Sequence, residues 1–234
     1  MRCALRGEQG FNPWNIWGKM NGGAPKAGPG GVAGFTQSML EETAEAMVAR
    51  GLRDAGYIYL NLDCGWTSGH RDANGLQVNK TAFPSMDGLI EKVHSLDMKF
   101  GMYAGGLHSQ CCNRALRGSN DSSYGHWEQD AAQFAAWKID YMKSDPCGVH
   151  AKGGAIGRFN QKWVDAFTKL GYIDKLHFQG DLVCGYKAGA SSKCLNHTAA
   201  QSNSWRTTGD IRNNFSYVMK NIQQNNGYAR FGGP

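Results

Sequence analysis

The stretch SMLEETAEAMVARGLRDAGYIYLNLD, residues 38–63, decides the fold. Its first half has the period of a helix. Leu40, Ala44, Met47 and Val48 form one apolar stripe, Glu41 follows Ser38 at capping-box spacing, and Gly51 or Gly56 ends the run. Its second half changes character. YIYLNLD, residues 57–63, is an almost continuous apolar run, as in a strand covered on both faces. The strand ends in a carboxylate, Asp63.

That passage recurs about every 40 residues, the signature of parallel α/β structure. After a first strand near FNPWNIW and a Gly/Pro-rich loop, the strands are YIYLNLD, KFGMYAG, IDYMKSD, KLHFQGD and the segment NSWRTTGD. The expected helices are SMDGLIEKVHSLD, YGHWEQDAAQFAAW, RFNQKWVDAFTKLG and IRNNFSYVMKNIQQN. SGHRDANGLQVN and the Cys-flanked segment before NSWRTTGD read as loops. No G-x-G-x-x-G follows the first strand, which argues against a dinucleotide fold. The long loops follow strands and the helix-to-strand turns are short. The expectation is a (β/α)8 TIM barrel with its site on the loops after the strands. Roughly six of the eight units that a closed barrel needs can be traced, so residues 1–234 read as an incomplete barrel domain.

The chain has 234 residues, 32 of them glycine, about twice the usual share. No window of about 18 apolar residues predicts a membrane span. The net charge of +6 is diffuse and no basic run alternates with aromatics, so nucleic acid is not an expected partner. The start, MRCALRGEQGF, lacks the apolar core of a signal peptide. Four N-x-S/T sequons, at Asn79, Asn120, Asn196 and Asn214, and seven cysteines lean toward a secretory protein whose signal lies outside this sequence. Accident is the alternative source of the sequons. An odd cysteine count leaves at least one thiol free or paired elsewhere.

Polar residues at strand ends converge on one mouth in a barrel. Here they are Asp63, Tyr103, Lys143 with Asp145, and Arg206 with Asp210, and Trp17 adds an aromatic. Carboxylates and arginine hydrogen-bond hydroxyls, indole faces stack on pyranose C–H bonds, and two carboxylates across a cleft suffice for glycoside hydrolysis. Each residue has a plainer reading. Lys143 and Asp145 form a rim ion pair, Asp210 caps the last helix, and Asp63 caps a turn. His94 and His126 read as surface or packing residues. No metal-binding spacing and no serine nucleophile elbow occurs, so neither a metal nor a cofactor is expected.

Four stretches together, AEAMVARGLRDAGYIYLNLDCGW, FPSMDGLIEKVHSLDMKFGMYAG, GHWEQDAAQFAAWKIDYMKSDPC and NSWRTTGDI, resemble glycoside hydrolase family 27, the α-galactosidase and α-N-acetylgalactosaminidase family. The resemblance runs from about Trp14 to Pro234 and implies a retaining α-galactosidase-like hydrolase. By resemblance Asp145 is the nucleophile, in a motif otherwise K-Y-D-N-C, and Asp210 is the acid/base, in W-R-x-x-x-D. Trp17, Asp63, Tyr103, Lys143 and Arg206 would contact the sugar. The resemblance implies a Cys111–Cys147 disulfide, and a Cys184–Cys194 bridge is a further expectation. It implies a carbohydrate substrate, a β-sandwich domain and two barrel units beyond Pro234, and homodimerisation of the full-length protein. Lys143 is expected to keep Asp145 ionised, a retaining pair to lie about 5–5.5 Å apart, and Asp210 to titrate high. One departure bears on specificity. Where the family has D-D-C-W, this chain has Asp63-Cys64-Gly65-Trp66, and a thiol does not replace a second carboxylate. The alternatives are therefore a member acting on an α-N-acetylgalactosaminide, isomalto-dextran or β-L-arabinopyranoside, or an inactive sugar-binding protein.

Overall fold

Six strands run parallel in one curled sheet, and the sequence order of the strands is also their order in space. The computed structural model describes residues 9–18, 34–105, 110–113, 120–147, 155–181, 192–211 and 214–225. The sheet strands are β1 (Gln9–Phe11), β2 (Tyr57–Asn61), β5 (Lys99–Gly105), β6 (Tyr141–Asp145), β7 (His177–Asp181) and β8 (Ser204–Arg206). A separate antiparallel pair, β3 (Thr67–Asp72) and β4 (Gly75–Val78), follows β2 in the chain and precedes β5. The helices are α1 (Gln37–Ala49), α2 (Met86–Ser95), α3 (Trp127–Ala136), α4 (Ala155–Lys169), α5 (Ser192–Gln201) and α6 (Phe215–Asn225). The architecture is a partial (β/α) barrel, and the expected barrel class holds.

Local chemistry explains these elements and corrects three expectations. Helix α1 starts one residue before Ser38. Thr36 is its cap, accepting the Met39 N–H, while Glu41 takes the Gln37 amide rather than closing a capping box. Gly51 and Gly56 follow the helix at φ +72° and +102°, backbone that L side chains avoid, so the chain reverses there into β2. The segment SGHRDANGLQVN is a hairpin, not a loop. Its Asn74-Gly75 pair is a strong hairpin turn signal, and Asp72 Oδ1 accepts the Asn74 N–H at 2.7 Å. Residues 192–201, read as part of a loop, form α5.

The strands alternate between two environments. Met102, Met142 and Phe178 are register partners and point into the helix layer, where all three are buried. There they join Leu40, Leu89, Phe134, Trp163 and Phe167 in one apolar cluster. Phe134 stacks on Trp163 at 6.0 Å and meets the edge of Trp66 at 6.1 Å. The hairpin is tied to α3 by a buried pair, Arg71 Nη2 to Asp130 Oδ2 at 2.6 Å. Burial holds the Asp130 carboxyl above its ordinary range even though Arg71 pulls the other way.

The opposite face of the sheet is polar at the mouth and aromatic below it. Tyr103, Lys143 and Gln179 form one register row, and Gly105 and Asp145 form the next. Beneath lie Tyr141, which stacks on His177 at 5.2 Å, and Tyr59, edge-on to Tyr141 at 5.8 Å. Lys143 and Asp145 share this face because side chains alternate along a strand.

Candidate active site

The nucleophile candidate is built by two neighbouring strand ends. Asp145 is the last residue of β6 and pairs in register with Gly105, the last of β5. A Cβ at residue 105 would strike the Asp145 backbone, so only glycine lets the strands close here. Tyr103, two residues back on β5, donates its hydroxyl to Asp145 Oδ2 at 3.1 Å. Burial, and then the negative charge of Asp145, hold the Tyr103 phenol well above its usual range, so it stays a donor. Burial raises the Asp145 carboxyl above its ordinary value. Lys143 and Arg206 oppose that rise without cancelling it.

Lys143 does not spend its charge where the sequence suggested. Its Nζ is 2.9 Å from Asp63 Oδ2 and sits 5.2 Å from the centre of the Tyr103 ring. Burial would raise the Asp63 carboxyl, but Lys143 and three hydrogen bonds together hold it below its ordinary value. The same pairing holds the Lys143 ammonium above its ordinary range against its own desolvation. The expected Lys143–Asp145 pair is thus an Asp63–Lys143 pair that also biases Asp145.

Asp63 is saturated with donors. Oδ2 accepts from Lys143 and from Asn12 Nδ2 at 2.7 Å, and Oδ1 accepts the Cys64 N–H at 2.7 Å. Asn12 is the residue that the sequence reading missed. Its own Oδ1 accepts the Trp14 N–H at 2.9 Å, an Asx turn at the end of β1 that aims its amide at Asp63. The signal was an Asn-Pro pair directly after a strand, which marks a turn but not its target. Trp17 follows in the helical turn Trp14–Gly18, where it meets Phe11 edge-on at 5.9 Å and packs on the core.

Arg206 ends β8, two strands from Asp145 in the sheet, and its charge reaches both Asp145 and Lys143. It is ion-paired with Asp210, and its Nε donates to the Thr208 carbonyl at 2.8 Å. Asp210 itself stands exposed on the loop beyond β8. It is not a helix cap. Helix α6 begins at Phe215, and Asn214 Oδ1 takes the Ser216 N–H at 2.9 Å.

Two disulfides staple the mouth. Cys111 is joined to Cys147, two residues past Asp145, and Cys64 is joined to Cys112. The adjacent cysteines 111 and 112 therefore tie the segment after β5 to the ends of both β6 and β2. Cys64, read as a thiol in place of an aspartate, is a half-cystine. The vicinal pair in the sequence was the available sign of a second bridge. Cys184 and its expected bridge to Cys194 lie outside the described residues. His94 pairs with Asp140 at 2.8 Å, and His126 precedes α3, so neither histidine belongs to the mouth.

The family profile described as Alpha galactosidase A matches residues 32–227. An alpha-galactosidase of Oryza sativa subsp. japonica is 30% identical over 229 residues, which cover 97% of this chain and 48% of that protein. The solved α-galactosidase of Saccharomyces cerevisiae superposes with a TM-score of 0.68 at 25% identity, over 88% of this chain and 40% of that one. Alpha-galactosidase I of Mortierella vinacea superposes with a TM-score of 0.70 over 92% of this chain and 49% of that one. At 24% identity that second likeness speaks for the fold alone. The chain spans about half the length of the curated relatives it matches.

Proposed function

Because the chain belongs to the alpha galactosidase A family, within glycoside hydrolase family 27, we propose that it carries the nucleophile half and the acid/base of a retaining, α-galactosidase-like glycosidase. Asp145 attacks the anomeric carbon and forms a glycosyl ester, while Asp210 protonates the departing glycosidic oxygen. Asp210 then takes a proton from water, which hydrolyses the ester. The observation that carries this reading is the convergence of Tyr103, Lys143, Asp63 and Asp145 at adjacent strand ends. Tyr103 fixes one oxygen of the nucleophile, and Lys143 supplies positive charge without being bonded to it. Arg206 orients Asp210 and extends that charge toward Asp145. The two disulfides support an oxidising compartment, and the substrate class is a terminal α-linked galactoside.

The test is covalent trapping. An activated 2-fluoro galactoside should add one glycosyl mass to the Asp145 peptide, and Asp145→Asn should take no label. A hydrolytically active protein that acquires no adduct at Asp145 ends the assignment. A panel of nitrophenyl glycosides on the same preparation reads the sugar.

A further inference from the structure

Beside the nucleophile lies a second kind of chemistry. The sulfurs of Cys111 and Cys147 and a carboxylate oxygen of Asp145 lie within 4.8 Å of one another. We infer that opening the Cys111–Cys147 disulfide creates a binding site for a thiophilic divalent cation, with both sulfurs and Asp145 as its ligands. A consequence follows for catalysis, and it rests on the role proposed for Asp145: a metal held there occupies the nucleophile.

The geometry fits the ion class. A tetrahedral centre with metal–sulfur bonds of about 2.3 Å and metal–oxygen bonds of about 2.0 Å has a sulfur–oxygen edge of about 3.5 Å. Cys147 Sγ and Asp145 Oδ1 are 3.4 Å apart. One edge of the polyhedron is therefore in place, and the Cys111 sulfur has only to relax from a bonded to a non-bonded separation. Two thiolates and a carboxylate favour soft or borderline cations such as zinc over calcium or magnesium. The fourth position falls to water.

The two bridges differ in access, which makes the opening selective. Cys111 and Cys147 are half-buried, whereas Cys64 and Cys112 are 2% and 9% exposed. Thiol–disulfide exchange needs an approach to sulfur, so a dithiol attacks the outer bridge first. The step consumes one dithiol: its two sulfurs are oxidised to a disulfide, and Cys111 and Cys147 take up two electrons and two protons. The cation then displaces those two protons to solvent. The surviving Cys64–Cys112 bridge keeps Cys111 near its partner, because it holds the adjacent residue. The Gln110 N–H, bonded to Asp121 Oδ1 at 3.0 Å, and the Asp121–Thr67 hydrogen bond anchor the same segment.

The experiment uses the full 234-residue chain with zinc as the probe. After mild treatment with a dithiol and its removal, alkylation and peptide mapping should find Cys111 and Cys147 labelled, and Cys64 and Cys112 unlabelled. The reduced chain should bind one zinc and release two protons, and the oxidised chain none. Bound zinc should protect Cys111 and Cys147 from alkylation. Cys147→Ser, prepared without reduction, should lose the site. Asp145→Asn should weaken zinc by more than about tenfold, since losing even an outer-shell partner costs about 10–100-fold. Zinc bound without protection of those two cysteines, no zinc despite two free thiols, equal binding by Asp145→Asn, or simultaneous opening of both bridges would each overturn the inference. If zinc binds as described and hydrolysis continues, the metal site stands and the nucleophile role of Asp145 falls.

Discussion

Lys143 Nζ, on β6, and Asp63 Oδ2, two residues past the end of β2, are 2.9 Å apart, although β2 and β6 are not neighbours in the sheet. The pair crosses over β5, above the Gly101 row and beside Tyr103. Asp63 is almost fully enclosed while Lys143 keeps about a quarter of its side chain open to the mouth. The structure therefore commits Asp63 to holding Lys143, and leaves Lys143 to face what enters. Lys143→Met should strand a buried carboxylate and cost stability, toward the lower end of the about 3–5 kcal/mol seen when one partner of a buried pair is removed. Asp63→Asn in the same background should recover part of that loss. Chemical denaturation of the two single variants and the double variant measures the coupling. Simple additivity would mean that the contact carries no energy.

Asp145 and Asp63 respond to pH in opposite directions. The Asp145 carboxyl is raised in the folded protein, chiefly by burial, so its contribution to stability is complete below the unfolded value of 3.8 and is lost as pH rises through the folded value. The Asp63 carboxyl is lowered, so its contribution is present above 3.8 and is lost as pH falls through the folded value. At neutral pH, Asp145→Asn should therefore raise Tm while lowering kcat by about 10^4-fold or more. Its stability gain should shrink toward zero below pH 3.8. Asp63→Asn should lower Tm at neutral pH and matter less in acid. Thermal melts of both variants across pH 3 to 8 read these slopes, and parallel curves for the two would refute the assignment of opposite shifts.

The barrel was legible because its signals are local. The period change at Gly56, the Asp145 strand end and the covered apolar runs each follow from a few consecutive residues. The misses depend on contacts between distant segments. Nothing near Lys143 in sequence says that its partner is Asp63, 80 residues away, rather than Asp145, two away. Cys64 read as a lost carboxylate because its partner Cys112 lies 48 residues on. Helix α5 was missed because its Gly- and Ser-rich approach outweighed a short amphipathic run. The hairpin β3–β4 was missed although Asn74-Gly75 announces it, because the loop reading of a barrel leaves no place for extra strands.

Asn12 acts on the site through Asp63. Asn12→Asp keeps the acceptor for the Trp14 N–H but replaces the donor with a second negative charge beside Asp63. Losing a hydrogen bond to a charged group costs about 1.5–3 kcal/mol, which corresponds to roughly a ten- to hundredfold loss in kcat/KM if the pair orders Lys143. The added charge should also move the acid limb of the pH–rate profile upward. Asn12→Ala should lose rate without that displacement. A profile unchanged in Asn12→Asp would detach Asn12 from the site.

The four sequons separate by burial. Asn79 is 7% exposed, and its Oδ1 accepts the Ala82 N–H while its backbone N–H bonds the Trp66 carbonyl. Trp66 and Phe83, whose backbones bond that of Asn79, are both fully buried, so a glycan on this 7% exposed side chain would have to displace packed neighbours. Asn120, Asn196 and Asn214 are exposed. At Asn214, Oδ1 accepts both the N–H and the hydroxyl of Ser216. Protein secreted from a eukaryotic host should therefore carry glycans only among these three positions. Enzymatic deglycosylation in heavy-oxygen water marks each occupied asparagine by mass. Label at Asn79 in folded, secreted protein would show that the segment around it is not packed as described. Asn79→Gln should leave glycan mass unchanged and destabilise the fold by about 1 kcal/mol through the lost turn hydrogen bond.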